Sequence, residues 1–105
     1  MGRDGEGFYL TYMEEEQKHI LVVDDEEDIC AIVQYHLTRE GYIVDVALSA
    51  EEAMEAFADK GGIEQLCEKY DLVILDVMMP GMSGFEFAKL LTTPIIFLTA
   101  MATED

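Results

Sequence analysis

An α/β fold, with a doubly wound parallel sheet and helices on both faces, is what the sequence predicts. Continuous apolar runs occur at Ile20-Leu21-Val22-Val23, Leu72-Val73-Ile74-Leu75 and Ile95-Ile96-Phe97-Leu98, as expected of strands buried on both sides. The segments between them carry helix-type periodicity, so strand and helix alternate as in βαβ units with right-handed crossovers. The chain has 105 residues, 50% of them hydrophobic, which suits one small domain with a real core. No apolar run approaches the roughly 18 residues needed to cross a bilayer.

Residues 1–17 show no regular period and read as a leader, followed by the domain over 18–105. Within the leader, Phe8-Tyr9-Leu10-Thr11-Tyr12 offers an optional extra edge strand, and Met13 an optional start of the domain. The first strand, from Ile20, stops abruptly at Asp24-Asp25-Glu26-Glu27-Asp28, acidic residues suited to the positive end of a following helix. That helix places Ile29, Ile32, Val33, His36 and Leu37 on one stripe and ends at Gly41. Tyr42 to Ala47 forms the second strand. Ser49 with Glu52 predicts a capping box opening a helix whose apolar face is Ala53, Met54 and Phe57. Asp59-Lys60-Gly61-Gly62 breaks it, and Ile63 to Lys69 adds a short helical piece. The third strand ends at Asp76. A loop with Pro80, Gly81 and Gly84 leads to a helix over Phe85 to Leu91, and Pro94 introduces the fourth strand, which ends at Thr99.

Twenty-three acidic residues against six basic ones give a formal net charge of −17. Such a surface repels phosphate backbones and anionic lipid, so neither nucleic acid nor membrane is expected to bind this segment. The excess suits a cation site, a basic partner, or solubility alone. Cys30 and Cys67 lie far apart without metal-ligand spacing and read as free thiols. His19 and His36 read as structural or solvent-facing. Nothing at the N-terminus resembles a secretion signal, so the cytoplasm is the expected compartment.

Open parallel sheets collect function outside the carboxyl ends of their strands. Those ends carry Asp24 and Asp25, then Asp76, then Thr99. Singly, each has an ordinary explanation, such as a helix cap or a strand end. Together, and with the first and third strands as neighbours, they bring three carboxylates into one crevice. Their mutual repulsion is relieved by a hard divalent cation such as Mg2+.

ILVVDD at residues 20–25, LVILDVMMPGMSG at 72–84 and PIIFLTA at 94–100 resemble the response-regulator receiver domain of two-component signalling. The resemblance runs from about Lys18 to Ala100 and implies a flavodoxin-like receiver fold. It implies that Asp76 is the phosphoacceptor, taking a phosphoryl group from a sensor histidine kinase or phosphotransfer protein. Asp25, Asp76 and the Met78 carbonyl would hold Mg2+ directly, with Asp24 acting through water. The Thr99 hydroxyl and Ala100 amide would follow the phosphoryl oxygens as the switch.

The sequence departs from that family after its fourth strand. It stops at Asp105, without the family's fifth βα unit, its strand-end lysine or its aromatic switch residue. The segment from Phe57 to Tyr70 is longer than usual, and the helix after Gly84 is short. An incomplete domain of this kind is expected to be marginal alone or to self-associate through an exposed fourth strand. A pseudo-receiver, an interaction module without phosphotransfer, is the alternative function. An enzyme acting on outside substrates is disfavoured, because Met78 stands where aspartyl phosphotransferases carry a second Asp as acid/base. No Gly-x-Gly-x-x-Gly follows the first strand, which removes a dinucleotide site.

Overall fold

The structure is a computed structural model that describes residues 17–98. The leader therefore lies outside the described residues except for Gln17, as do Thr99 and Ala100. Eight elements follow in order: β1 (His19–Val23), α1 (Glu27–Arg39), β2 (Ile43–Ala47), α2 (Ala50–Glu55), α3 (Ile63–Lys69), β3 (Leu72–Asp76), α4 (Gly84–Ala88) and β4 (Ile95–Leu98). The four strands form one parallel sheet in the order β2-β1-β3-β4.

Alternation along the strands divides the core into two layers. Leu21, Val23, Ala47, Val73 and Leu75 point to the side of α2, α3 and α4, where they meet Ala50, Ala53, Leu66 and Phe87. Ile20, Val22, Val44 and Ile74 point to the other side and pack on Cys30, Val33 and Leu37 of α1. Helices thus lie on both faces, as the apolar runs required. Among the described residues only α1 covers the second face. A groove of about 470 Å³ lined by Leu37, Leu72, Ile74 and Ile96 remains beside it. On β4, at the sheet edge, Ile96 and Phe97 are exposed.

Several local expectations need correction. Helix α1 is rotated relative to the predicted stripe: Cys30 is buried and Ile32 is 54% exposed, with His36 exposed beside it. The reason is that Cys30, Val33 and Leu37, at i, i+3 and i+7, already form a complete apolar line. Gln34, on the same side, donates from Nε2 to the Val44 carbonyl (2.9 Å), covering an outward acceptor of edge strand β2. At the start of α2 the Ser49 hydroxyl accepts from the Glu52 amide, but the Glu52 carboxylate accepts from Leu48 rather than from Ser49. The reciprocal capping box occurs instead at α4, between Ser83 and Glu86. That helix ends at Ala88, short of the predicted Leu91, because it turns at Lys89–Leu90 to deliver the chain to β4.

Gly41, at φ +102°, follows α1 and donates to the Thr38 carbonyl, the left-handed stop its position suggested. Gly61 and Gly62 also have positive φ and reverse the chain between α2 and α3. Tyr70, just after α3, is tied down by its hydroxyl, which donates to Asp45 on β2 (2.6 Å), while Lys69 pairs with the same carboxylate. Burial, then the hydrogen bond to Asp45 and its charge, hold the Tyr70 phenol well above the usual tyrosine range. This arrangement anchors the longer segment between Phe57 and β3.

Phe87 is fully buried between α4 and the sheet. Phe87→Ala is expected to cost roughly 3–5 kcal/mol, a large share of the ~5–15 kcal/mol that holds a domain of this size together. Urea denaturation followed by circular dichroism should show the midpoint fall accordingly.

Candidate functional site

Parallel pairing of β1 with β3 sets Val23 opposite Leu75, so the next residues, Asp24 and Asp76, emerge side by side at the same sheet edge. Asp25 follows in the β1–α1 turn. One carboxylate oxygen from each of Asp24, Asp25 and Asp76 lies within 4.8 Å of the others. Asp24 is only 5% exposed, Asp76 is partly buried and Asp25 is open to solvent.

Backbone groups hold this arrangement. The Asp24 amide donates to the Ala47 carbonyl (3.2 Å), which extends the β1–β2 ladder by one residue. Asp24 Oδ1 accepts from the Glu26 amide (2.9 Å), making an Asx turn into α1. The helix itself begins after Glu26, whose side chain makes no capping hydrogen bond, so the predicted acidic cap takes the form of this turn. Glu27 and Asp28 in the first turn complement the helix dipole. The Cys30 thiol donates to the Asp24 carbonyl (3.2 Å); burial, then the charge of Asp24, push the thiol up to about 11, so it stays protonated beside the acids. Cys30 and Cys67 are both free, as expected.

Across the crevice, Asp76 Oδ1 accepts from the Met78 amide (3.3 Å). Gly84 packs directly on the Asp76 carbonyl, where any Cβ would collide with it, and its amide donates to Val77 (2.9 Å). This fixes both ends of the loop 77–84. Met78, beside the acids, is 79% exposed. Burial is the main reason that the Asp76 carboxyl lies above the usual carboxylate range; the charges of Asp24 and then Asp25 add to it, and the Met78 amide opposes them. Three hard oxygen donors converging under mutual repulsion fit a divalent cation.

Sequence reasoning brought Asp24, Asp25 and Asp76 to one place, and so they are. It missed the Ser83–Glu86 box, although Ser-x-x-Glu was legible, and it missed Glu51, whose carboxylate accepts from the Met82 amide across 31 residues. Nothing local in the sequence reveals that bond. Thr99 follows Leu98, which stands opposite Asp76 in the β3–β4 register.

Known proteins share this fold. The profile described as response regulator receiver domain matches residues 20–105. The alkaline phosphatase synthesis transcriptional regulatory protein PhoP of Bacillus subtilis is 44% identical over 92 residues, which is 83% of this chain and 35% of that protein. The uncharacterized transcriptional regulatory protein YkoG of the same organism is 42% identical over 90 residues, 81% of this chain and 36% of YkoG. The chain thus spans about a third of the length of the curated relatives it matches. Among solved structures, the response regulator TrrA of Thermotoga maritima in complex with Mg(2+)-BeF superposes with a TM-score of 0.65 at 43% identity, covering 80% of this chain and 70% of that one. A complex of the histidine kinase ThkA with TrrA matches with a TM-score of 0.66 at 42% identity, covering 84% of this chain and 73% of that one.

Asp76→Asn is expected to raise the thermal midpoint of the Mg2+-free protein. Because burial raises the Asp76 pKa in the folded protein, the protonated acid favours the folded state. That contribution is complete below the unfolded value of about 3.9 and is lost as pH rises through the native value. The advantage of the variant should therefore be largest near neutrality and vanish towards pH 4, in melts followed by circular dichroism.

Proposed function

The chain belongs to the response regulator receiver domain family, and from that membership we propose that it is a phosphoacceptor switch in a two-component phosphorelay, with Asp76 as the acceptor and Mg2+ as the cofactor. The observation that carries this reading is the convergence of the Asp24, Asp25 and Asp76 carboxylates within 4.8 Å at the end of β1 and β3. Relatives named as transcriptional regulators, and a neighbour solved with a histidine kinase, support a sensor kinase or phosphotransfer protein as the donor.

Each residue has a distinct task. An Asp76 carboxylate oxygen forms the new P–O bond while the P–N bond of the donor phosphohistidine breaks, and the electron pair returns to the imidazole nitrogen. Asp25, Asp76 and the Met78 carbonyl would hold the cation, and Asp24 would act through a bound water. When bound, Mg2+ supplies positive charge against the phosphoryl oxygens and the crowded acids. Asp24 is kept in place by the Glu26 amide, and Asp76 by the Met78 amide and the packing of Gly84. Thr99 and Ala100, which follow Leu98 in the sequence, would supply a hydroxyl and an amide to the phosphoryl group as the switch. Met78 occupies the position where an acid/base for outside substrates would stand, so turnover beyond the chain's own phosphoryl group is not part of the proposal.

The test is intact-mass spectrometry after adding acetyl phosphate, with and without Mg2+. A single Mg2+-dependent phosphoryl adduct, absent in Asp76→Asn, is the expected result. No adduct on the folded protein would overturn the proposal in favour of a pseudo-receiver. The exposed Ile96 and Phe97 on β4 support a second part of the reading, self-association through that edge. Sedimentation velocity is expected to show dimers that Ile96→Lys weakens, and a monomer at all concentrations would overturn this part.

A further inference from the structure

We propose that Glu51 is a positioning residue for the acidic site, holding the loop that carries Met78 from the neighbouring helix α2. The inference rests on the acceptor reading of Asp76. Loop 77–84 is fixed at its ends by strand β3 and by Gly84 against the Asp76 backbone. Met79 is buried in the core and Met82 packs against it. Within Pro80 to Met82, the described hydrogen bond to another element is that of the Met82 amide, which donates to Glu51 Oε2 at 2.9 Å. The adjacent Gly81 leaves room for this bond. It sits at φ +76°, and a Cβ there would stand 2.8 Å from the same carboxylate oxygen.

Glu51 lies in the first turn of α2, where its charge also complements the helix dipole. It is not one of the three carboxylates that form the cluster. Its effect reaches the site along the loop backbone from Met82 to Met78. A cation held partly by a backbone carbonyl requires that backbone to be placed beforehand, because a loose ligand loses its freedom on binding. The Glu51 bond restricts that freedom in advance.

The carboxylate acts here as a hydrogen-bond acceptor, and this separates the proposal from a simple effect of charge. Glu51→Gln retains an acceptor oxygen and removes the charge, whereas Glu51→Ala removes both. In calorimetric titration of the full chain with Mg2+, Glu51→Ala is expected to weaken binding by about tenfold, the low end for outer partners of metal sites, because this bond is exposed. Glu51→Gln should stay within about twofold of the parent. In Mg2+-free buffer the Met82 amide should exchange faster with solvent in Glu51→Ala, while the thermal midpoint remains close to that of the parent.

Equal weakening in both variants would overturn the proposal in favour of long-range charge. Unchanged Mg2+ affinity in Glu51→Ala would overturn it outright. A lower midpoint in Mg2+-free buffer, together with weaker binding, would assign Glu51 a general structural role instead. If the parent chain itself binds no Mg2+, the acceptor reading fails first and the role of Glu51 with it; that result is told apart by the parent titration alone.

Discussion

Parallel pairing between β1 and β3 is the constraint from which the rest of the molecule follows. Both strands run through the middle of the sheet and are apolar on both faces, so their burial sets the register and direction together. In that register Val23 lies beside Leu75, and the first polar residue after each is an aspartate. The apolar runs therefore decide where the carboxylates meet. Sliding one strand by a single residue would turn its core side chains to the wrong face and separate the acids at the same time.

Holding three acids together opposes folding, and the surrounding backbone limits how far they can relax. Asp24 is bound to the Glu26 amide, and Asp76 to the Met78 amide. The Met78 bond favours the ionised form of Asp76, whereas burial and like charge favour its protonated form. The site is thus poised against itself in the absence of a counter-charge, and this is the condition in which a cation or a transferred group shifts the balance most. Gly84 contributes through the side chain that it lacks, because the close approach of the loop to the Asp76 carbonyl leaves no space for a Cβ.

The two faces of the sheet are built differently. On one, α2, α3 and α4 surround a layer closed by Phe87, Leu66 and Tyr70, and the bond from Tyr70 to Asp45 anchors the long connection before β3. On the other, α1 packs alone among the described residues and leaves a groove beside Ile74 and Ile96. Edge strand β2 is guarded at both ends, by Gln34 on the Val44 carbonyl and by Glu52 on the Leu48 amide. Strand β4 carries exposed Ile96 and Phe97 instead. The two sides of the same sheet therefore differ in their readiness to meet another chain.

By itself the sequence determined the strands, their alternation with helices and the identity of the acidic trio. These follow from local signals: unbroken apolar runs, abrupt acidic stops and glycines at reversals. The rotation of α1 was not legible, because Cys30 and Ile32 are both apolar and periodicity alone does not rank them. The shortening of α4 depended on where the chain had to be delivered to reach β4. The bond from Glu51 to Met82 and that from Tyr70 to Asp45 join residues 31 and 25 positions apart. Only the tertiary structure decided these pairings, because a hydrogen bond between distant residues exists only after the core has brought their elements side by side.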